Sequence, residues 1–316
     1  KGLAGDHSEV GAPLAEQVAL RWGFGADDAS AIGFLVRQHL LLPTVATGRD
    51  IEDPVTAANV AQLVASTSRL ALLSALTASD AQATSSTAWT GWRRALIDGL
   101  VTKVAAQLVG TEPQITDYEG WPAAVPQPNG DLPKSGGFTV EVEPHHDGAP
   151  PRSVAPDRRG LLADLAGGLT VAGLSIRSCR SVTIDRAATS LWEVTRPGVD
   201  AAAVTERLRR VFDGSLNLAD RLKYQLSADV QQPQVRVLDA MEQTATLVQV
   251  RALDGRGLVW SVCHAIAEHG LHIRSAHLST YGDEVRDVFY VTDENQQALS
   301  AETAERLRLA VSQQLT

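Results

Sequence analysis

From Ser8 to about Gly110 the apolar positions recur every three to four residues and never settle into alternation, the signature of helices that each bury one face. A first helix is expected from Ser8 through Leu20 toward Gly23. Asp27-Asp28 opens a second through Ile32, Leu35, Val36 and Leu40, stopped by Pro43. Asp53-Pro54 reads as a cap followed by a first-turn proline and starts a helix over 54–65. Two more are expected, from Leu70 to Ala83 and from the Trp89/Trp92 region to about Leu108. The tryptophans there read as packing anchors.

Beyond about residue 137 the period shortens. Val248, Val250 and Ala252 alternate with Leu247, Gln249 and Arg251, as in a half-buried strand. Leu258, Val259, Val262, Ile266 and Ala267 then return to helical spacing, and Gly270 follows where helices commonly end in the left-handed conformation. Residues 271–280 and 285–292 have strand character, with a Gly282-Asp283 turn between them. Ser300 caps a last helix through Ala304, Leu307, Val311 and Leu315.

This whole pattern occurs twice. Asp157-Arg-Arg-Gly-Leu161 precedes Asp254-Gly-Arg-Gly-Leu258 by ninety-seven positions, and the same offset carries Gly173-Leu-Ser-Ile-Arg-Ser178 onto Gly270-Leu-His-Ile-Arg-Ser275 and Trp192-Glu-Val-Thr195 onto Phe289-Tyr-Val-Thr292. A fixed-period echo marks one supersecondary unit used twice. With Val235-Arg-Val237 and Val140-Glu-Val142 as front strands, each repeat reads ββαββα, an antiparallel four-stranded sheet with both helices on one face. The fold class is therefore α+β, with a helical domain over 1–120, a linker over 121–136, repeats over 137–214 and 233–316, and a connector over 215–232. The linker contains four prolines within Trp121 to Gly137. In the connector Leu216 to Leu226 is expected to form a short helix, and His145-His146-Asp147-Gly148 in the first repeat is expected to be a hairpin tip.

The 316 residues contain 44% apolar and 21% charged positions, which suits packed domains with real cores. A net charge of −9 argues against binding nucleic acid or an anionic membrane surface. Cys179 and Cys263 lack zinc spacing and read as buried small hydrophobes in a reducing compartment. No apolar run approaches the roughly 18 residues of a membrane span, so a cytoplasmic location is expected. The chain opens on Lys1-Gly2 rather than Met and reads as a piece that starts inside a larger domain.

The duplicated turn offers chemistry. Backbone N–H groups at the start of a helix can receive a carboxylate, and a nearby aspartate can meet an ammonium group, so Asp157, Arg158, Gly160 and Leu161 in one copy and Asp254, Arg256, Gly257 and Leu258 in the other are candidates to hold an amino acid. The glycines would let a ligand approach the backbone. The plainer alternative is that the aspartates only cap helices. The Asp-x-Arg-Gly-Leu turn with the Gly-Leu-x-Ile-Arg-Ser strand start resembles the ACT domain, a small-molecule-sensing module with a ferredoxin-like sheet, here in tandem.

In the helical part His7, His39 and Asp80 lie on separate helices, and their donors suit a divalent metal such as manganese, iron, magnesium or zinc. Singly, each has an ordinary structural use. Lys1-Gly-Leu-Ala-Gly-Asp-His-Ser8, Leu35-Val-Arg-Gln-His-Leu-Leu41, Arg49-Asp-Ile-Glu-Asp-Pro54, Leu76-Thr-Ala-Ser-Asp80 and Trp89-Thr-Gly-Trp92 together resemble the HD phosphohydrolase domain of the PII uridylyltransferase/uridylyl-removing family, in which two ACT domains follow the HD domain. The resemblance implies that glutamine binds the ACT pair and that the HD domain, with magnesium or manganese, removes a nucleotidyl group from the PII signalling protein. It also implies metal ligands at His7, His39 and Asp80, and Lys1 as the group that neutralises phosphate charge. The family's nucleotidyltransferase motif is missing from these residues, and the His-Asp dyad that names the HD domain would lie just before Lys1. These residues alone are therefore expected to bind metal poorly and to turn over little. A non-catalytic amino-acid-sensing module and a relative of the guanosine tetraphosphate hydrolases are the alternatives.

Overall fold

The structure is a computed structural model. It describes residues 6–49, 51, 54–84, 89, 91–112, 139–141, 152–184, 187–195, 200–224, 232–238, 245–281 and 283–316. Two compact units divide the chain, Lys1–Ala124 and Val125–Thr316. The expected linker over 121–136 and the hairpin tip at His145 to Gly148 lie outside the described residues.

The first unit is helical: α1 (His7–Arg21), α2 (Ala26–Gln38), α3 (Leu41–Gly48), α4 (Pro54–Val64), α5 (Thr67–Thr84) and α6 (Gly91–Val109). Asp6 caps α1 by accepting the Ser8 N–H at 2.8 Å. α1 and α2 pack as a hairpin, and the fully buried Leu42, Ile51, Leu73 and Leu100 form the centre of the unit. One expectation fails here, because Pro43 does not stop a helix. The backbone breaks earlier, at His39-Leu40, and Pro43 is the third residue of α3. In a first turn the missing N–H costs nothing, since that position has no partner within the helix. The Pro43 carbonyl accepts the Thr47 hydroxyl at 2.7 Å. Together α2 and α3 make a stretch, Ala26–Gly48, long and apolar enough by composition to cross a membrane. It carries Asp27, Asp28, Arg37 and His39, and Arg37 pairs with Glu9 of α1, features that favour a helix of a water-exposed bundle.

The second unit runs β1 (Thr139–Glu141), β2 (Arg152–Pro156), α7 (Leu161–Val171), β3 (Ser175–Ile184), β4 (Ala187–Thr195), α8 (Ala201–Phe212), β5 (Gln234–Leu238), β6 (Thr246–Leu253), α9 (Leu258–Glu268), β7 (His272–Tyr281), β8 (Glu284–Thr292) and α10 (Ala301–Gln314). Each repeat is ββαββα with Ser300 capping α10 through the Thr303 N–H, as the periodicity predicts. The two four-stranded halves form one antiparallel sheet in the order β1-β2-β4-β3-β7-β8-β6-β5. The junction is β3 against β7, with Cys179 opposite Leu278 and Ser181 opposite Ala276. Joining the halves this way pairs two edges that would otherwise expose unpaired backbone groups.

Period-two alternation assigns the faces. Cys179, Trp192, Val248, Val250, Leu278 and Phe289 belong to one apolar core with Leu161, Leu165 and Leu169 of α7, Leu208 of α8, Val262 and Ile266 of α9, and Leu307 and Val311 of α10. All four helices therefore cover one face. The intervening residues Ala245, Leu247, Val288 and Tyr290 form a smaller buried cluster on the opposite face. The helices meet closely because glycines leave room: a Cβ on Gly167 would fall 2.5 Å from Leu218 Cδ1 and 2.8 Å from Trp260 Cδ1. The described part of the connector is a run of turns rather than the expected helix, with Leu216, Leu218 and Leu222 inserted into the core. Burying alternate residues one by one fixes the segment without helical hydrogen bonding.

Candidate functional site

Each repeat turns from a strand into a helix through its Asp-x-Arg-Gly-Leu sequence. Gly160 and Gly257 are the N-caps of α7 and α9, at φ of 80° and 88°. A residue with a Cβ is disfavoured in that left-handed conformation, so the backbone itself calls for glycine. No side chain caps either helix. The aspartates are therefore not caps: Asp157 accepts the backbone N–H of Arg158, and Asp254 that of Gly255. Asp254 is also fixed through its own N–H, which donates to the Asp283 carbonyl at 2.7 Å.

Because the strands join edge to edge, each turn faces the other repeat. The Asp254 turn lines a cavity of about 380 Å³ with Thr170, Gly173, Leu174, Ser175 and Ile176 of the first repeat. The Asp157 turn lines a separate, interior space of about 20 Å³, with Ala267, Leu271 and Ile273 of the second repeat and with Leu162, Leu165, Ser181 and Cys263. The first is in the range of small-molecule sites, while the second holds about one water.

Electrostatics distinguish them too. Burial pushes the Asp254 carboxyl above the usual range, and the Arg177 guanidinium, 3.8 Å away on β3, opposes that shift. Burial raises Asp157 likewise, opposed mainly by His272 and by a hydrogen bond from Thr183. Arg158 lies over the Phe212 ring and pairs with Asp164, and a terminal nitrogen of Arg159 comes within 3.3 Å of where a Gly270 Cβ would be. Next to the Asp254 turn, Tyr224 from the connector donates its hydroxyl to the Leu253 carbonyl at 2.9 Å. Its ring occupies the space beside Gly255, where a Cβ would meet Tyr224 Cε2 at 2.7 Å.

Of the residues named from sequence, both turns are placed between the repeats. Thr170, Ser175, Arg177, Tyr224 and His272 were not picked out as site residues. The ninety-seven-residue offset would have paired Ser175 with His272, and no periodic pattern flags Tyr224.

In the helical unit Lys1 lies outside the described residues. His7 and His39 meet edge to face with ring centroids 5.4 Å apart. His39 Nδ1 lies 2.9 Å from the Val36 carbonyl, an acceptor only, so Nδ1 donates there. Asp80 is exposed on α5. Among the described residues no group of three His, Cys, Asp or Glu is placed to hold a metal ion. Of the expected ligands, His7 and His39 are brought together, and no chemical step is derived through a metal there.

The geometry defines a class: an α+β chain whose two ββαββα repeats share one sheet and carry ligand-sized space at their junction. No protein-family model matches the chain. It is 34% identical to a bifunctional uridylyltransferase/uridylyl-removing enzyme of Streptomyces coelicolor over 92% of this chain and 41% of that protein. A protein of the same description from Mycobacterium tuberculosis is 31% identical over 92% of this chain and 38% of its own length, and one from Rhodopseudomonas palustris 28% over 93% and 38%. The chain is homologous to the C-terminal part of the bifunctional uridylyltransferase/uridylyl-removing enzymes. It spans about two fifths of the length of these relatives. Aspartate kinase from Synechocystis matches half of this chain and 26% of its own, with a TM-score of 0.32 and 16% identity.

Proposed function

We propose that these residues form the sensing end, and part of the hydrolase end, of an enzyme that adds a nucleotidyl group to the PII signalling protein and removes it. The ACT-like pair binds glutamine, and the intact helical domain removes the nucleotidyl group when glutamine is abundant. The transferase belongs to the rest of the protein. The observation that carries the reading is the junction itself, where Asp254, 3.8 Å from Arg177 of the other repeat, lines a cavity of about 380 Å³ shared by both repeats.

A zwitterion matches that arrangement. Its ammonium group would pair with Asp254 and its carboxylate with Arg177 and the N–H groups that open α9. Glutamine can shift the enzyme toward hydrolysis only by its preference for one state over the other, typically 1–3 kcal/mol. The metal of the removing activity, magnesium or manganese, would need donors beyond His7 and His39, with Asp80 and upstream residues as the candidates. Once bound, such an ion would polarise the phosphodiester. The setting is the cytoplasm, where PII signalling operates.

Titration calorimetry of this chain with glutamine tests the sensing reading, with saturable heat expected at millimolar ligand. Absence of heat under those conditions overturns it.

A further inference from the structure

We infer that a cavity of about 470 Å³ between the connector, α9 and α10 is a second ligand site, separate from the junction cavity, and that it takes a planar heteroaromatic molecule carrying an anionic group, as a nucleoside monophosphate does. Its effect on the Asp254 turn passes through Leu222, Lys223 and Tyr224, and that coupling alone rests on the amino-acid-sensing reading above.

The connector lines one side of this cavity with Leu222, Lys223 and Tyr224, and α9 lines another with Trp260 and His264. Its volume falls within the roughly 300–1,000 Å³ of small-molecule sites. Trp260 is buried, and its indole stacks on the imidazole of His264 with centroids 4.7 Å apart and planes 15° from parallel. The edge of that imidazole is held as well, with Nε2 3.3 Å from a Glu268 carboxylate oxygen. The His264 side chain nonetheless stays 33% exposed, so its face turned away from Trp260 is open to a second flat ring. The fold does not require this stack. At the same ninety-seven-residue offset α7 carries Ala163 and Gly167, and the first repeat closes without a ring at either place.

The charged side chains lining the cavity are Lys223, His264, Glu268 and His269. Glu268 is engaged by His264, and His269 Nδ1 lies 2.8 Å from the Ala265 carbonyl. Lys223 is exposed and forms no ion pair among the described residues. Its ammonium, on the connector rather than on the last turn of α9 with Glu268, is the partner for an anionic group. The carboxamides of Gln313 and Gln314 each donate and accept, which suits the edge of a heteroaromatic ring.

The connector wall also touches the junction turn. Tyr224 donates its hydroxyl to the Leu253 carbonyl at 2.9 Å and fills the space beside Gly255, while a Cβ on Gly257 would lie 3.6 Å from the Lys223 carbonyl carbon. Gly255 and Gly257 line the junction cavity. A ligand that shifts Tyr224 therefore shifts the turn, and a ligand at the turn acts back on the second site to the same extent.

Calorimetry on this 316-residue chain decides the matter, with adenosine 5′-monophosphate, uridine 5′-monophosphate and inorganic phosphate as probes. Saturable heat is expected with at least one nucleotide, and phosphate, which has no ring to stack, should bind about tenfold more weakly. Lys223→Ala and His264→Ala should each weaken the nucleotide about tenfold, and His264→Phe, which keeps a flat ring, should restore most of the affinity. No saturable heat with either nucleotide, or heat that neither Lys223→Ala nor His264→Ala alters, would overturn the site. Saturating nucleotide should change the affinity for glutamine about fivefold or more, and Tyr224→Phe, which loses only the bond to Leu253, should shrink that change. A glutamine affinity unaltered by bound nucleotide would overturn the coupling. Nucleotide heat without glutamine heat would overturn the sensing reading and leave the second site standing.

Discussion

Arg177 of β3 and Asp254, the residue after β6, belong to different repeats, and the guanidinium stands 3.8 Å from the carboxylate, which lines the junction cavity. Both side chains are partly exposed, so the pair contributes little to stability, of the order of 0–1 kcal/mol. Its consequence is for ionisation. Burial raises the Asp254 carboxyl, and Arg177 is the main influence holding it down.

The sign of the pH dependence follows. A ligand ammonium needs Asp254 ionised, so affinity for glutamine should fall as pH drops through the raised value of that carboxyl. Arg177→Ala removes the opposing charge and should move the fall to higher pH, besides weakening binding at neutral pH by removing a carboxylate partner. Calorimetric titrations across the acid range measure this. An unshifted acid limb in Arg177→Ala would separate Asp254 from ligand binding.

A second titration concerns Asp287 of β8, which is 1% exposed on the helix-covered face opposite Val250. Oδ1 accepts the Ser279 N–H at 3.2 Å, and among the described residues Oδ2 has no hydrogen-bond partner. Burial pushes the carboxyl well above its usual value of 3.8. The folded protein holds this proton more tightly than the unfolded chain does. The resulting stability is present below the unfolded value and is lost as pH rises toward the folded one. Asp287→Asn keeps the shape and removes the titration. Its urea midpoint should change less between mildly acidic and mildly alkaline pH than that of the unmodified protein, and should be the higher of the two at alkaline pH. Parallel pH profiles would show that Asp287 does not titrate on folding.

These two carboxylates mark how far the sequence could be read. Alternation at Val248, Val250 and Ala252 and the helical spacing after Leu258 gave the elements of each repeat, since both patterns record which side chains face a core. Pairing of β3 with β7 left no such trace, because it runs through backbone groups that any sequence carries. The glycines at 160 and 257 were legible as special, but their positive φ requires the backbone to be seen. Nothing in the periodicity singles out Asp287, which the register puts opposite Val250. Where Arg158 and Arg159 direct their guanidinium groups, toward Asp164 and Phe212 and toward Gly270, is likewise not recorded in spacing. Pro43 misled because its position within a first turn depends on the break at His39-Leu40, upstream of the proline expected to stop the helix.

The helical unit yields a prediction of its own. His7 and His39 are neighbours, yet among the described residues the exposed Asp80 does not complete a group with them. Two imidazoles without a third donor hold divalent ions weakly. Manganese titrated into this chain and followed by electron paramagnetic resonance should show dissociation no tighter than millimolar, and His39→Ala should change it little. Micromolar binding that disappears in His39→Ala would show that these residues already form a metal centre.

Two glycines separate backbone strain from crowding. At Gly257 the φ of 88° is unfavourable for any L side chain, but an added Cβ would meet nothing closer than 3.6 Å, the carbonyl carbon of Lys223. Gly257→Ala should therefore cost about 1–2 kcal/mol from conformation alone. Gly167 lies within α7, where alanine is intrinsically favoured, yet its Cβ would come within 2.5 Å of Leu218 Cδ1 and 2.8 Å of Trp260 Cδ1. Overpacking of this kind costs about 1–3 kcal/mol and displaces the neighbours. Leu218 is on the connector and Trp260 on α9, so Gly167→Ala should loosen the contact between the repeats. Chemical denaturation of the double variant Gly167→Ala/Leu218→Ala discriminates: if crowding is the cause, shortening Leu218 should cost less in the Gly167→Ala background than in the unmodified protein. Simple additivity of the two changes would rule out crowding against Leu218 as the source of the loss.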